Sequence, residues 1–579
     1  MRVKQETVAA IHWTTQELYS LSPEISRRHR DQDNRYNPRC ALMFPTDARP
    51  DRWWTTIAIC LLCAGIFSSP VAAIPRRGNE QWSLILCKFS DTHGFEPRTR
   101  EWFVEWFIGT GQDSILRYFN DASNGVYTIE GSTVHGWFDL PYTRAEVMRL
   151  AHNDETLQNG PEKSFAFFDK AKELCVAHAE QQGASLFRQK ITVVNAEHTA
   201  VYGKKHGVLL TPRLIFSSVL AHEMVHSFFI GHSYSDRPLK VFPYSSLGEY
   251  DDRYDLMSTS NALMHPSPYG LSGPGLNGPH LDYLGWLPMD RVLYFGRDGR
   301  QNYTLRLSSL SIPHNKTNGW LLVNIPYDRD DPNNVYTVEL RTPYNLDQGV
   351  SQAGVVIHKI QRVSDSYYSM IVTHSREFYE LTEGTEWVQF LGVDADGRYQ
   401  SIKVSVVKMY SKKHAADVRI TSTFDPINCQ STEVKKFIDE NTFGVDKVCK
   451  PRSNGSNVVS DAEVTTQLAR NSFYARQFTF GLNACQPGRV WRAADPYDYN
   501  CVDPTRASHI REDNQNDQLR KSEHSKDGCR YPFVARKAFY RDGVCVTINE
   551  RARIQNENSQ SYNNLRHFSF FNGADTVVM

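Results

Sequence analysis

Two histidines four residues apart, within a very apolar segment, restrict what this chain can fold into more than any other feature. His222 and His226 lie in the stretch from Ser217 to Ile230, which is predicted to form a helix. A spacing of four residues puts both imidazoles on one face of a helix, where they can bind the same ion. Polar side chains in such an apolar segment need partners, and a metal supplies one. The simpler alternative is an apolar helix that contains histidines by chance.

Glu223 and His232 complete the pattern of a catalytic zinc site. Zinc binds neutral imidazole nitrogen and keeps a fourth position for water when it is catalytic. Glu223 directly follows the first histidine, near enough to take a proton from that water. By composition, this motif followed by a third histidine is expected by chance on the order of once in a thousand such chains. The sequence therefore predicts zinc on His222, His226 and His232, with Glu223 as the general base.

The same segment, Ala221-His-Glu-Met-Val-His-Ser-Phe-Phe-Ile-Gly-His232, resembles the metzincin clan of zinc peptidases. The clan's pattern is HExxHxxGxxH, followed by a tight turn whose methionine lies beneath the metal. Within the clan the similarity is to immune-inhibitor-A-like and gametolysin-like secreted peptidases, through residues 222–233, 248–258 and 273–287. The resemblance implies a zinc-dependent endopeptidase that acts on proteins or peptides, with Met257 as the hydrophobic floor of the site.

Phe229 departs from that pattern, because the clan has a glycine three residues after its second histidine. Glycine adopts a positive φ at little cost, and phenylalanine does not. We therefore expect the helix to run longer and to turn at Gly231, so that His232 approaches differently or Asp236 replaces it as a ligand. The departure also supports an alternative function, a catalytically inactive secreted binding or adhesion protein on a peptidase scaffold. The intact Glu223 favours the enzyme.

The 579 residues are too many for one compact core. We predict an α+β protein that begins with a metzincin-like zinc peptidase domain over residues 78–290. Residues 291–425 contain successive strand candidates without a helix between them, which indicates a β-sandwich-like domain. The rest divides into a linker that contains Cys429 and Cys449 (426–480) and a region of two cysteine-containing repeats (481–579).

The spacing of the late cysteines reveals the repeat. Cys485 and Cys501 are 16 residues apart, Cys529 and Cys545 are also 16 apart, and the two pairs are offset by 44 residues. We expect each pair to form a disulfide within its own copy, although other connectivities are open. The repeats either bind a surface polymer or act as a stabilising cap.

A short apolar run between Trp53 and Phe67 follows a basic flank and precedes small residues, as in a signal peptide. We interpret residues 43–73 as that signal and residues 1–42 as a spurious or disordered extension before a true start at Met43. The alternative is a signal anchor that keeps the protein on a membrane, although a membrane span needs about 20 residues. The prediction is a secreted, extracellular protein without a membrane span after cleavage.

The charge balance of the chain argues against nucleic acid as a partner. Basic and acidic residues are equal at 65 each, so the chain has no net positive charge that would attract nucleic acid.

Eight cysteines lie beyond the signal, and an even count fits disulfides in an oxidising compartment. Asn302, Asn315 and Asn454 are glycosylation acceptors in a secretory route. Acidic turns at 328–331 and 394–397 are candidate calcium ligands, but turns between strands use the same residue types.

Overall fold

The structure is a computed structural model. It describes residues 75–159, 165–198, 201–203, 207–295, 302–328, 331, 333–364, 366–374, 378–393, 397–424, 433–435, 449–451, 482–486, 488–565 and 570. The predicted extension and signal peptide, Cys429 and Asn454 lie outside these ranges. No helix within them is long and apolar enough to cross a membrane.

The first half of the chain alternates strands and helices. Its strands are β1 (Gly78–Asn79), β2 (Trp82–Lys88), β3 (Tyr127–Thr128), β4 (Thr133–Asp139), β5 (Gln189–Val194), β6 (Val201–Gly203), β7 (Gly207–Leu210), β8 (Tyr234–Ser235), β9 (His265–Ser267) and β10 (Gly270–Ser272). Its helices are α1 (Arg100–Ile108), α2 (Ile115–Ala122), α3 (Arg144–Asn153), α4 (Glu155–Gln158), α5 (Ala166–Gln181), α6 (Ser217–His226) and α7 (Gly278–Tyr283).

A five-stranded sheet organises this half, with the strand order β4-β2-β5-β7-β6. The first four strands run parallel, and β6 is an antiparallel edge strand. β2 is buried along almost its whole length, as expected for a strand covered on both faces. The disulfide between Cys87 and Cys175 joins β2 to α5. A capping box begins α3, where the Thr143 side chain accepts from the Glu146 N–H and the Glu146 carboxylate accepts from the Thr143 N–H.

The second half is dominated by strands: β11 (Val292–Tyr294), β12 (Asn302–Ser308), β13 (Leu322–Pro326), β14 (Val335–Arg341), β15 (Gly354–Val363), β16 (Ser366–Ile371), β17 (Glu380–Leu381), β18 (Glu386–Val393), β19 (Tyr399–Tyr410) and β20 (Ala415–Ser422). They form a four-stranded sheet, β12-β20-β19-β18, and a larger sheet, β11-β13-β14-β15-β16-β8, in which β17 also pairs with β15. One buried cluster draws on both sheets, for example Val338 and Val355 from one and Val404 and Val418 from the other. The described chain is thus a mixed α and β protein whose second half contains two sheets that share a core, and the sandwich-like domain stays a prediction.

The larger sheet crosses the predicted boundary at residue 291. β8, which comes just after His232, pairs in parallel with β16 through Tyr234 and Met370, and through Ser235 and Ile371. A buried charged network also joins the two halves, since His358 lies 2.9 Å from Asp252 and Glu339 accepts a 2.6 Å hydrogen bond from the Gly278 N–H. The sheet of the second half therefore supports the chain around the third histidine.

The C-terminal part contains short strand pairs and two helices. The strands are β21 (Glu433–Lys435), β22 (Cys449–Pro451), β23 (Val490–Trp491), β24 (Cys501–Val502), β25 (Val534–Ala535) and β26 (Cys545–Val546), and the helices are α8 (Pro504–Arg520) and α9 (Ile548–Gln560). Each repeat is an antiparallel strand pair followed by a helix. Disulfides join Cys485 to Cys501 and Cys529 to Cys545, which confirms pairing within each copy.

The residues shared by the two repeats have matching roles. Arg492 pairs with Asp498 and Arg536 pairs with Asp542, both at 2.8 Å and both buried. Four equivalent apolar residues from both copies meet in one cluster, namely Ala494, Ala538, Ile510 and Ile554. The two copies therefore fold around a common core rather than as separate modules.

Candidate metal centre

Helix α6 carries the motif and lies entirely inside the protein. All ten of its residues, Ser217–His226, are buried. Its first polar side chains are satisfied by neighbours, since Ser217 donates to the Asp113 carbonyl at 2.6 Å and Ser218 donates to the Gly273 carbonyl at 2.5 Å. The polar groups that remain in the middle of the helix are those of the motif, so the motif has a fixed position among buried residues.

The structure brings the three predicted histidines together. His222, His226 and His232 each offer a ring nitrogen, and these nitrogens lie within 4.8 Å of one another. The Nε2 atoms of His222 and His226 are 3.0 Å apart. The ring of His232 lies 5.5 Å from that of His222 and 5.3 Å from that of His226. Among the residues that the structure describes, this is the one cluster with the spacing of a metal site.

The opposite ring nitrogens fix the tautomers. Nδ1 of His222 lies 3.1 Å from the Leu256 carbonyl, and Nδ1 of His226 lies 2.8 Å from the Ile230 carbonyl. A carbonyl oxygen only accepts, so each Nδ1 must donate, and each neutral ring then presents a lone pair at Nε2. Two lone pairs that face each other at 3.0 Å repel, unless a cation lies where they point.

Burial keeps these rings neutral. It lowers the pKa of His222 to about 3, with help from the nearby His232. Burial and the two neighbouring imidazoles also lower the pKa of His226 well below its usual range. The pKa of His232 falls for the same reason, although its hydrogen bond to Glu249 partly opposes the fall. Neutral imidazole is the form that binds zinc.

The expectation that the helix would run on to Gly231 is wrong. Helix α6 ends at His226, and the chain then turns through Ser227 and Phe228. Phe229 itself takes the left-handed conformation, with φ of 61°. It is held there by a 3.1 Å hydrogen bond from its N–H to the His226 carbonyl and by packing against the core. A phenylalanine thus makes the sharp exit that glycine makes in the clan's pattern.

The early turn brings His232 to the other two histidines and leaves Asp236 elsewhere. The Asp236 carboxylate accepts hydrogen bonds from the N–H and the hydroxyl of Thr373, at 3.1 and 2.7 Å. Asp236 is exposed and is not a member of the metal-binding cluster found among the described residues. The alternative in which it replaces His232 therefore receives no support from the geometry.

Substitutions at Phe229 test the left-handed turn. We expect Phe229→Val to be less stable than Phe229→Asn by about 1–2 kcal/mol, because β-branched residues resist positive φ and asparagine tolerates it. Both variants lose the ring, so the lost packing largely cancels in the comparison. Urea denaturation of the two purified proteins measures the difference. Equal stabilities, or a more stable valine variant, would mean that the left-handed conformation of Phe229 is absent in solution.

Two residues that the sequence did not single out hold His232 in place. The Glu249 carboxylate accepts from Nδ1 of His232 at 2.5 Å, and the Tyr250 ring packs 4.0 Å from the His232 ring, centre to centre. Tyr250 reaches this position because it too has a positive φ, 64°. In the sequence, Glu249 and Tyr250 stand side by side in the segment that resembles the clan. No spacing rule connects them to His232, so their contact with it could not be predicted.

Glu249 is charged where it binds His232. Burial pushes its pKa up, but the hydrogen bonds from His232 and from the Ser246 N–H outweigh burial and leave the pKa below its usual value. A carboxylate on the far nitrogen orients a metal-binding imidazole and makes it more basic. Glu249 thus holds the His232 ring in one orientation before a metal ion binds.

We expect Glu249→Gln to lower zinc affinity by about 10- to 100-fold, as is typical when such a supporting partner is removed. The cause is the loss of the negative charge that stabilises His232 as a ligand. Competition with a fluorescent zinc chelator measures the affinity. Glu101→Gln, on the exposed face of α1, is the matched control and should bind zinc like the wild type. An unchanged affinity in Glu249→Gln would remove Glu249 from the site.

The turn that contains Met257 lies against the first histidine. Met257 is fully buried, and the carbonyl of its neighbour Leu256 accepts from His222. The Ser233 N–H donates to the Met257 carbonyl at 3.3 Å, which ties this turn to the residue after His232. Met257 therefore adjoins the carbonyl that orients His222, and its role as the floor of the site stays a prediction.

Remote parts of the chain hold the turn between the second and third histidines. Arg76, near the beginning of the described chain, donates to the Ser227 carbonyl at 3.0 Å and packs on the Phe228 ring. Phe570, near the other end, accepts a 3.3 Å hydrogen bond from the Gly231 N–H. The geometry of the site therefore depends on segments far from it in sequence.

The residues present fit a zinc ion. Nε2 of His232 is buried and has no hydrogen-bond partner among the described residues, and it belongs to a set of three nitrogen donors, the set that zinc prefers. Glu223 is fully buried beside His222. Burial first, and then neighbouring groups that include Glu249 and Glu223, raise the pKa of Tyr250 well above its usual range.

The candidate calcium turns have a simpler explanation where they are described. Asp328 accepts from the Asp331 N–H and from Asn334, and Asp331 accepts from the Tyr367 hydroxyl at 2.5 Å. These are contacts of a turn that is held together by its own hydrogen bonds. Residues 394–396 of the second candidate lie outside the described ranges.

Comparisons with known proteins identify no relative. No protein-family model, no curated protein and no solved structure matches this chain.

Proposed function

We propose that this protein is a secreted zinc-dependent endopeptidase of the metzincin type. The observation that carries the proposal is the convergence of three imidazoles, each tied at Nδ1 to an oxygen acceptor, beside a buried glutamate. Nitrogen donors in this number, with a carboxylate next to them that is not a ligand, are typical of zinc hydrolases.

His222, His226 and His232 would hold the ion. When bound, zinc supplies Lewis acidity toward a water molecule and a peptide carbonyl. The three histidines contribute rigid, neutral donors, since the carbonyls of Leu256 and Ile230 and the carboxylate of Glu249 fix their rings. The Tyr250 ring packs against the His232 ring at 4.0 Å, centre to centre, and helps to hold that ring in place.

Glu223 is the base in this proposal. Its carboxylate removes a proton from the attacking water while the water oxygen bonds to the peptide carbonyl carbon. As the carbon–nitrogen bond breaks, Glu223 gives that proton to the leaving amine nitrogen. Because Glu223 is buried, few solvent molecules compete for the proton, which favours transfer within the site.

The disulfides support the proposed location. All three in the described chain join cysteines that lie beyond the predicted signal. Disulfides of this kind form and persist in oxidising compartments outside the cytosol. Asn315, one predicted glycosylation acceptor, is exposed and accessible in a short turn.

A casein assay with the purified chain tests the proposal. We expect cleavage by the zinc-loaded protein, its loss with 1,10-phenanthroline, and its return after zinc is added in excess over the chelator. Phe229 is the departure that favours a non-catalytic binding protein, but in its left-handed conformation His232 still lies beside the other two histidines, which supports the enzyme. Stoichiometric zinc without cleavage of casein or of peptides would favour the binding protein instead.

A further inference from the structure

The three histidines are not equally enclosed. His222 and Glu223 are fully buried and His226 is 1% exposed, whereas the side chain of His232 is 7% exposed and that of its partner Glu249 is 15% exposed. In the described structure the site therefore comes closest to solvent on the His232 side. The loop that carries Glu249 is thus the part of this site that lies nearest to solvent.

That loop presents a ladder of aromatic rings, formed by Tyr250, Phe242 and Tyr244. The Tyr250 ring lies 4.0 Å from the His232 ring, and the Phe242 ring lies 5.4 Å from that of Tyr250. Tyr244 stacks on Phe242 at 5.4 Å with an angle of 6° between the ring planes. The ladder connects a predicted metal ligand to the protein surface through continuous apolar contact.

The outer end of the ladder is open to solvent. Tyr244 is 40% exposed, and Leu247 in the same loop is 60% exposed. Large apolar side chains in a surface loop lower solubility, so a position beside a candidate catalytic site points to a binding role. Aromatic faces bind large apolar side chains well, because they bury much area and lose little conformational freedom.

The loop is fixed to the metal site before any substrate arrives. The Glu249 carboxylate that binds His232 also accepts from the Ser246 N–H at 2.6 Å. The Gly248 N–H donates to the Leu239 carbonyl at 2.7 Å, and the Ser245 hydroxyl donates to the Phe242 carbonyl at 3.0 Å. A surface held in this way can contribute to selectivity without a cost of ordering the loop.

We propose that Tyr244 and Leu247, supported by the aromatic ladder, form a specificity site for a large apolar or aromatic side chain near the scissile bond. This inference rests on the proposed peptidase function and names its substrate class. The site offers an apolar surface of two side chains, so it favours phenylalanine, tyrosine, leucine or methionine over small or charged residues. Tyr244 and Leu247 determine specificity here and take no part in the proton transfers.

The test compares two fluorogenic peptides that differ at the positions flanking the cut bond, one with leucine and phenylalanine and one with alanine. Zinc-loaded full-length wild type, Tyr244→Ala, Leu247→Ser and the double variant are assayed, with zinc content measured for each. We expect the double variant to lose about 10- to 100-fold in kcat/KM for the large-residue peptide and little for the alanine peptide, with unchanged zinc. Tyr531→Ala, at a residue 93% exposed in the second repeat, should behave like the wild type.

Equal losses on both peptides, or no loss on either, would overturn the specificity site and leave the proposed function intact. Failure of the zinc-loaded wild type to cleave either peptide or casein would overturn the proposed function, and this inference with it. Because both substituted side chains are exposed, misfolding is not expected, and circular dichroism with zinc content reports it directly.

Discussion

Glu223→Gln is expected to reduce peptide hydrolysis by about 100- to 10,000-fold while zinc stays bound. The substitution keeps the size and hydrogen-bonding capacity of the side chain but removes its ability to accept a proton from water. The histidines are untouched, so their convergence and the fit for zinc should persist. Initial rates on a fluorogenic peptide and zinc content by mass spectrometry, on the same preparation, separate the two effects.

Two controls make this result specific. Glu101→Gln changes the same residue type on the exposed face of α1 and should retain full activity. The unfolding temperature of Glu223→Gln should resemble that of the zinc-loaded wild type. Glutamine has the same size as glutamate and adds no charge to this buried position. Full activity in Glu223→Gln would show that another group acts as the base, whereas lost zinc would make Glu223 part of the metal site.

His226→Ala is expected to abolish stoichiometric zinc binding and, with it, activity. His226 is 1% exposed and its Nε2 lies 3.0 Å from that of His222, so its removal leaves two donors, too few for a tight site. The variant should also lose the stabilisation that zinc gives, which is about 4 kcal/mol when free zinc is 1,000 times the Kd. Zinc titration followed by calorimetry measures the binding, and thermal unfolding with and without zinc measures the stabilisation.

The loss must come from the missing ligand and not from a damaged core. His524→Ala, at an exposed histidine between the two repeats, should bind zinc normally. The wild type treated with chelator should unfold at a lower temperature, close to that of the His226→Ala variant, because both then lack zinc. A His226→Ala protein that still binds one zinc with wild-type affinity would contradict the three-histidine centre.

Local features of this fold were predictable from the sequence. The spacing of His222 and His226 fixes their relation as soon as the segment is helical, and the capping box at Thr143 and Glu146 needs only residues that are close in the chain. The repeat predicted the pairing of the late cysteines, since each pair closes a short loop of its own. Such features depend on neighbours along the chain and not on the folded context.

The conformation of Phe229 was predicted wrongly for an energetic reason. Backbone preference disfavours a positive φ for phenylalanine by about 1–2 kcal/mol. A hydrogen bond to the His226 carbonyl and the packing of the ring against the core oppose that cost. Neither the hydrogen bond nor the packing can be known before the fold is known. The backbone preference of phenylalanine alone therefore predicted the wrong end for the helix.

The support of His232 could not be predicted because it depends on long-range contacts. Glu249 and Tyr250 reach the imidazole only after the loop before them folds back, and β8 is placed by its pairing with β16. The hydrogen bond of Gly231 to Phe570 joins segments from far apart in the chain. A short motif identifies ligands, but the groups that orient those ligands come from the whole fold.

X-ray absorption spectroscopy at the zinc edge, on the purified full-length protein, tests the three-histidine centre most directly. We expect one zinc per chain with three histidine nitrogens at about 2.0–2.1 Å and a remaining oxygen or nitrogen ligand. The signal of imidazole ligands should weaken in His226→Ala and persist in Glu223→Gln. A protein without zinc after loading, or a zinc bound through sulfur, would contradict the three-histidine centre on which the proposed function depends.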